Sequence, residues 1–237
     1  MHIPGVDATL EELPKKLLKD LSDIKVGRYA KVVLTPHHAL KIQKVFVKNG
    51  RLNTIEWRGG TTVSLNAQQE IVSASAFGNM GVGPRVHATL LVRHLPKWME
   101  KDNKEEFQGC ALTGKCWNLV IVMQRMASSI RAVQVMPPQT QALFWRHLNV
   151  GRIVKVIKVL SGLGYDHNDI RHDNIGFVQD KRSKINLYLL DYGYGKLLPN
   201  HQAQLQEKIT NAFCDALESV GAPPIVRQTI MQEVARM

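Results

Sequence analysis

Two short polar motifs follow one another in the C-terminal half of the chain. The first is H-x-D-x-x-x-x-N, formed by His167, Asp169 and Asn174, and the second is Asp-Tyr-Gly at 191–193, which ends a strongly apolar run. The Asp169 carboxylate can orient an attacking hydroxyl and accept its proton. The Asn174 amide and the Asp191 carboxylate offer the oxygen ligands that Mg²⁺ prefers. These residue types at this spacing therefore predict phosphoryl transfer.

The segments around the motifs predict the elements that position them. Between the motifs, two apolar runs flank a basic turn at 179–184, which predicts a β-hairpin that returns the chain to the same site. Before the motifs, apolar residues recur at three- and four-residue spacing within 141–164. This spacing predicts one amphipathic helix, with Thr140 as its cap and Gly162 and Gly164 at its end. The residues with this spacing are Val150, Ile153, Ile157 and Leu160.

The N-terminal half predicts a strand-rich part of the molecule. Residues 7–22 indicate a short amphipathic helix that Asp7 or Thr9 would cap. Residues 64–80 predict a second helix, for which Ser64 or Asn66 is the candidate cap. The other predicted elements are strand-like runs at 24–34 and 39–47, a hairpin or loop at 48–62, a loop and strand at 81–92, a charged surface insertion at 95–115 and a buried strand at 117–126.

In this order, the segments resemble the eukaryotic-type protein kinase superfamily. The tripeptide at 167–169 is similar to its H-R-D, the one at 191–193 to its D-F-G and residues 39–42 to its V-A-I-K. The resemblance covers about residues 24–195. It implies an α+β, two-lobed protein-kinase-like fold with a truncated helical C-lobe. The implied divisions are an N-lobe at 1–126, a C-lobe at 127–237, a catalytic loop at 165–174 and a metal-binding motif at 191–193.

The resemblance also implies a pair of charged residues in the N-lobe. In the family, a strand lysine contacts the α- and β-phosphates of ATP and a helix glutamate pairs with it. Lys41 matches that lysine, and Lys44 is the alternative, although a strand would direct its side chain to the opposite face. Glu70 is the acidic residue of the predicted helix, and Glu56 is the alternative if that helix is absent. We therefore expect Lys41 and Glu70 to pair.

Several further positions are implied as a nucleotide site. The frame at 25–32 keeps the middle glycine and the final valine of the family's glycine-rich loop. Met123 would lie at the back of the adenine pocket, and residues 124–126 would offer backbone groups to the base. Gly176 stands where the family has an apolar floor, so we expect Ile175 or Phe177 to compensate. The implied nucleotide-binding residues are Gly27, Val32, Ala39, Lys41, Met123, Gln124 and Met126, and the implied cofactors are ATP and Mg²⁺.

Two features bear on the acceptor substrate. Arg171 lies where protein kinases have Lys or Arg and where small-molecule phosphotransferases of this fold often have His. A cation there can contact the transferring phosphate, so Arg171 is a catalytic candidate and favours a protein acceptor. After Gly193 the chain has no A-P-E-like sequence, and helices are predicted at 201–220 and 223–237. The peptide-binding platform and the regulatory activation loop of a full kinase are therefore expected to be mostly missing.

Composition narrows the class of protein. The 237 residues carry a net charge of +11 that is spread along the chain, which suits an acidic or phosphorylated protein substrate or nucleic acid. No apolar run is long enough to span a membrane, and no secretory signal is expected. Three cysteines, an odd number, argue against a disulfide framework and for a cytoplasmic or nuclear location, in a host cell or a virion. A metal site at Cys110 and Cys116 is the alternative use of two of them.

The prediction for function is ATP- and Mg²⁺-dependent phosphoryl transfer to Ser or Thr hydroxyls of a protein. The compact layout resembles minimal kinases of large DNA viruses or bacterial effectors. One alternative is a pseudokinase that serves as a binding or scaffold module, which the sparse glycine-rich loop and Gly176 favour. A second is a small-molecule kinase, which the missing platform favours. A third, based on charge alone, is a basic nucleic-acid-associated or virion structural protein whose binding falls steeply with salt.

Overall fold

The computed structural model describes residues 3–26, 30–48, 51–58, 61–65, 67–100 and 116–237. The chain forms two compact units. The first comprises Met1–Ala76 and Arg85–Arg125, and the second comprises Phe77–Pro84 and Met126–Met237. The first unit is built around a β-sheet, and the second is built mainly from helices.

An eight-stranded sheet organises the first unit. Its strands are β1 (Ala8–Glu12), β2 (Asp23–Val26), β3 (Lys31–Leu34), β4 (His38–Lys48), β5 (Arg51–Arg58), β6 (Thr61–Leu65), β7 (Val86–His94) and β8 (Cys116–Gln124). They follow the order β1-β7-β8-β4-β3-β2, with β5 paired to β4 and β6 paired to β5. Only the β1–β7 pair is parallel among the described strands. The predicted strands at 39–47 and 117–126 are confirmed, and the run at 24–34 forms the β2–β3 hairpin.

The two faces of this sheet bury different side chains, because successive residues of a strand alternate between faces. One face carries Val33, Leu40, Ile42, Val120 and Val122. The other carries Val45, Leu119 and Ile121, against which helix α1 (Ala67–Asn79) packs Ile71. Ile121 is the cross-strand partner of Lys41, so Lys41 lies on the face that α1 covers.

The predicted helix at 7–22 is wrong. Residues 8–12 form β1, and Lys15–Leu18 forms a short 3-10 helix. Pro14 has no amide hydrogen and disfavours a helical residue before it, so a helix cannot run through this segment. Pairing with β7 satisfies the backbone instead. Asp7, a predicted cap, accepts a hydrogen bond from the Thr89 amide at 2.7 Å.

Helix α1 confirms the helix predicted at 64–80, with narrower bounds. Ser64 belongs to β6, so it does not cap the helix, and Asn66 lies outside the described residues. Glu70 falls in the first turn of α1, where the positive end of the helix dipole favours an acidic side chain. The predicted insertion at 95–115 begins with the short helix α2 (Lys97–Glu100), and residues 101–115 lie outside the described part of the chain.

Helices dominate the second unit. Its elements are β9 (Ser128–Ser129), α3 (Pro138–Arg146), α4 (Val150–Gly162), β10 (Tyr165–Asp166), β11 (Ile175–Gln179), β12 (Ile185–Leu189), β13 (Lys196–Leu197), α5 (Gln202–Glu218) and α6 (Pro224–Ala235). The hairpin predicted between the motifs is confirmed as β11–β12, and the two predicted C-terminal helices are confirmed as α5 and α6.

The single helix predicted within 141–164 is instead two helices, α3 and α4. The break falls at 147–149, where the chain pairs with β12: the Ile185 amide donates to the His147 carbonyl, and the Asn149 amide donates to the Ile185 carbonyl, both at 2.9 Å. Thr140 does not cap α3, because the helix already begins at Pro138, a residue suited to the first helical position. Helix α4 buries Ile153, Ile157 and Leu160 of the predicted apolar stripe, and Val150 is half-buried.

The cysteines differ from the prediction at one position. Cys116 is disulfide-bonded. Cys110, the other residue of the alternative metal site, lies outside the described residues, so that alternative stays a prediction. Cys214 is a free, buried thiol, and burial raises its pKa. In the described ranges, no helix combines the length and hydropathy that a bilayer span requires.

Candidate active site

Lys41 and Glu70 form an ion pair within the first unit. Lys41 extends from β4, and its Nζ contacts Glu70 Oε1 on α1. Both side chains are largely buried, with 14% and 8% of their surface exposed. The expected pairing of Lys41 with Glu70 is therefore present. Glu70 lies on α1, the helix on which it was predicted.

Gln43 is a third member of this cluster that the sequence analysis missed. Its Nε2 donates to Glu70 Oε2 at 3.1 Å, so each carboxylate oxygen has a partner on β4. Residues two apart on a strand share a face, whereas Lys44 projects to the opposite face from Lys41. The spacing of Lys41 and Gln43, two residues apart on a predicted strand, was the sequence signal that could have placed Gln43 beside Lys41.

Strand register groups three of the implied nucleotide residues around Lys41. Val32 is the cross-strand partner of Lys41, and Ala39 is the partner of Met123. Ala39 and Lys41 are two apart on β4, so all four side chains share the face that α1 covers. Gly27 lies outside the described residues.

At Gln124, the last residue of β8, the backbone differs in one respect from what an adenine contact was expected to need. The Gln124 amide donates to the Arg85 carbonyl at 2.7 Å, so this N–H already has a partner within the first unit. Gln124 can offer its carbonyl to a base but not its amide. Met126 belongs to the second unit, where it lies beside Gly176.

In the second unit, the loop between β10 and β11 brings Asp169 and Asn174 together. Asn174 ends a single 3-10 turn, and its Nδ2 donates to Asp169 Oδ2 at 2.7 Å and to the Asp169 carbonyl at 3.0 Å. Because its NH₂ group is used in this way, Oδ1 is the atom that Asn174 can offer to a cation. One-quarter of the Asp169 side chain, 25%, is exposed, so a hydroxyl can reach it.

Arg171 lies beside the same carboxylate. Its Nε is 3.3 Å from Asp169 Oδ1, and 59% of its side chain is exposed. One oxygen of Asp169 therefore contacts an amide and the other a guanidinium. This placement puts an exposed positive charge next to the predicted base.

Asp191 is held by a network that reaches back to the first motif. It has a left-handed backbone, with φ of 59°. The preceding residue, Leu190, donates its amide to the Asn174 carbonyl at 2.8 Å and accepts a hydrogen bond from His167 Nε2 at 3.0 Å. Burial lowers the pKa of His167, against the opposing effects of the Leu190 carbonyl and nearby carboxylates, so the ring serves as a neutral donor.

Tyr192 fixes the other side of Asp191. Its hydroxyl donates to the Leu189 carbonyl at 3.0 Å, and its ring stacks on Phe77 with 4.9 Å between centroids. Burial raises the pKa of this phenol far above its ordinary value. A Cβ on Gly83 would lie 2.4 Å from the hydroxyl, so the close approach requires glycine there. Gly83 could not be predicted from the sequence, because only folding brings it to Tyr192.

The apolar side chains next to Gly176 are Met126 and Leu190, and not the expected Ile175 or Phe177. A Cβ on Gly176 would lie 2.7 Å from Met126 Cγ and 3.2 Å from Leu190 Cδ1. These two side chains occupy the space that a larger residue would fill. Ile175 and Phe177, which we expected to compensate, instead belong to the buried core of the unit, where Phe177 packs edge-to-face on Phe144.

Comparisons with known proteins identify the fold. No family model matches the chain, and no curated protein matches its sequence. Among solved structures, the chain is similar to WaaP in complex with acyl carrier protein, with a TM-score of 0.50 and 12% sequence identity over 94% of this chain and 82% of that chain. WaaP has a kinase-like fold, and an identity this low shows the fold alone. The predicted α+β, kinase-like fold is thereby confirmed.

Proposed function

We propose that the protein transfers the γ-phosphoryl group of ATP to a hydroxyl acceptor, in the presence of Mg²⁺. The observation that carries the proposal is the pairing of Asp169 with Asn174 beside the fixed Asp191 segment, on a kinase-like fold. In the reaction, the acceptor oxygen forms a bond to the γ-phosphorus as the bond to the β,γ-bridging oxygen breaks. Asp169 orients the acceptor hydroxyl and takes its proton.

The donor set of the second unit suits Mg²⁺. Asn174 Oδ1 and the Asp191 carboxylate are hard oxygen ligands, and Mg²⁺ sites of this kind take one or two protein groups together with substrate phosphates and water. A bound Mg²⁺ ion would neutralise negative charge on the β- and γ-phosphates. In the first unit, Lys41 is the proposed ligand of the α- and β-phosphates. Glu70 pairs with its ammonium, and Gln43 holds the Glu70 carboxylate.

Two classes of acceptor are supported by different observations. A Ser or Thr hydroxyl of a protein is favoured by Arg171, which lies 3.3 Å from Asp169 and suits an acidic or phosphorylated substrate. A small-molecule hydroxyl is favoured by the short segment that joins the Asp191 motif to α5. In that segment β13 pairs with β10, and the Leu198 amide donates to the Gly164 carbonyl. We propose the protein acceptor first and the small molecule second.

The test is transfer of labelled γ-phosphate from ATP with Mg²⁺. Acidic proteins, basic proteins and a panel of free sugars serve as acceptors. Wild type is compared with Asp169→Asn, Asp191→Ala and the surface control Lys158→Met. We expect transfer by wild type and by the control. Asp169→Asn should lower kcat by about 10²- to 10⁴-fold, the usual contribution of a general base.

Each outcome separates the candidates. Label on a protein supports the first acceptor class, and label only on a sugar supports the second. No transfer together with no thermal shift on addition of Mg·ATP would overturn the proposal and leave a pseudokinase or another binding module. Transfer that survives both carboxylate substitutions would show that the wrong residues had been assigned.

A further inference from the structure

A buried carboxylate lies three residues before the proposed base. Asp166, on β10, has only 7% of its side chain exposed. Its Oδ1 accepts a hydrogen bond from the Asn168 amide at 3.1 Å. A buried carboxylate needs both hydrogen bonds and a compensating positive charge, because an unpaired charge strongly destabilises the folded protein when it is buried.

The compensating charge comes from a distant helix. Lys208 lies on α5, and its Nζ donates to Asp166 Oδ2 and, at 3.0 Å, to Asn168 Oδ1. One ammonium therefore binds both the buried carboxylate and the side chain next to Asp169. Lys208 itself is not buried, because 55% of its side chain is exposed.

Asn168 is the residue whose conformation these contacts determine. Its backbone is left-handed, with φ of 59°, a region that is strained for a residue other than glycine. Asp166 holds its amide, Lys208 holds its Oδ1, and its Nδ2 donates to the Tyr194 carbonyl at 3.3 Å. Asp169 is the next residue, so the direction of its backbone depends on Asn168 remaining in this conformation.

We propose that Lys208 is a positioning residue for the reaction. By neutralising Asp166 and holding Asn168, it sets the backbone from which Asp169 reaches the acceptor hydroxyl. Lys208 touches none of the reacting atoms in this scheme, and it acts through the two residues that it binds. The inference rests on the proposed function, because a positioning role has no meaning without transfer by Asp169.

The geometry separates this role from a simple surface ion pair. An ion pair between two exposed side chains contributes little to stability, because solvent screens both charges. Here the Asp166 carboxylate is buried, and the Lys208 ammonium binds both Asp166 and Asn168. Asn168 is the residue directly before Asp169, the proposed base. Misplacement of a reacting group by about 1 Å can lower a rate by about 10²-fold, so loss of Lys208 should appear in kcat.

The experiment compares Lys208→Met, Lys208→Arg and Lys158→Met with wild type, in the same transfer assay. Lys158 is an exposed lysine on α4 and serves as the matched control. We expect Lys208→Met to lower kcat by roughly 10- to 100-fold while the KM for ATP changes by less than about twofold. Lys208→Arg, which keeps the charge and the donors, should recover most of the loss. Lys208→Gln is measured alongside in case the apolar variant does not fold.

The outcomes distinguish this inference from the function on which it rests. A wild type that transfers no phosphate overturns both. An active wild type with an equally active Lys208→Met overturns the positioning role alone. A fall in kcat that Lys208→Arg does not relieve, or one accounted for entirely by a smaller folded fraction in circular dichroism, also overturns it, because a structural role would produce the same result.

Discussion

At the level of single residues, the Lys41–Glu70 pair should be energetically coupled. Removing one member leaves a largely buried charge without its main partner, which costs on the order of 3 kcal/mol. Lys41→Met and Glu70→Gln should therefore each destabilise the protein. The double variant should be less destabilised than the sum of the two, with a coupling energy of about 1–3 kcal/mol. Urea unfolding of the four proteins measures this energy.

An exposed lysine provides the comparison for that cycle. Lys25 lies on β2 with its side chain in solvent, so Lys25→Met should change stability by no more than about 0.5 kcal/mol. Free energies of unfolding that simply add for Lys41→Met and Glu70→Gln would show that the two side chains do not interact in solution.

The hydroxyl of Tyr192 should contribute to stability as well as its ring. Tyr192→Phe leaves the Leu189 carbonyl without this donor in a buried place, and such losses cost about 1–3 kcal/mol. A second substitution tests the local geometry. Gly83→Ala places a methyl group against the hydroxyl, so it should destabilise wild type more than it destabilises the Tyr192→Phe background. Thermal unfolding of the four variants measures both effects, and equal costs in the two backgrounds would contradict the contact.

At the level of secondary-structure elements, the backbone turn after helix α4 requires a glycine, Gly164. Gly164 has φ of 64°, and a Cβ there would lie 2.7 Å from Pro199 Cα. Gly164→Ala should therefore destabilise the protein by more than about 1 kcal/mol. Gly162, two residues earlier, is the matched control: it is helical, and a Cβ on it would meet nothing within 4 Å. Gly162→Ala should stabilise by about 0.4–1 kcal/mol, and similar melting temperatures for the two variants would contradict this account.

Local sequence signals predicted those elements whose stability is local or periodic. The hairpin β11–β12 and the apolar stripe of α4 were predictable for that reason. The segment at 7–22 was predicted wrongly as a helix because its pairing partner, β7, lies some 80 residues later in the chain. The break between α3 and α4 was not predicted because it depends on backbone hydrogen bonds to Ile185, which is also distant in sequence. The Lys41–Glu70 pair followed from motif order, whereas Gly83 reaches Tyr192 and Lys208 reaches Asp166 only through folding.

For the whole molecule, the proposed chemistry draws on both units. Lys41 and Glu70 belong to the first, and Asp169, Asn174 and Asp191 belong to the second. If both sets of residues are correctly assigned, Mg·ATP should slow amide hydrogen exchange in β4 of the first unit and in the loop that leads into β11 of the second. Mg²⁺ removed by a chelator should reverse the second effect more than the first. Protection confined to one unit would contradict the assignment of the other.

The pairing of β1 with β7 has a consequence for self-association. Among the described strands, β1 lies at the edge of the sheet, and an edge offers unpaired backbone groups to a second copy of the chain. This edge is only five residues long and ends in two exposed acidic residues, Glu11 and Glu12, which repel another edge of the same kind. Replacing both with valine should leave the fold intact but promote oligomers, visible in sedimentation velocity. The same change at Glu207 and Glu233 on the helices should not, because a helix has no free edge to pair.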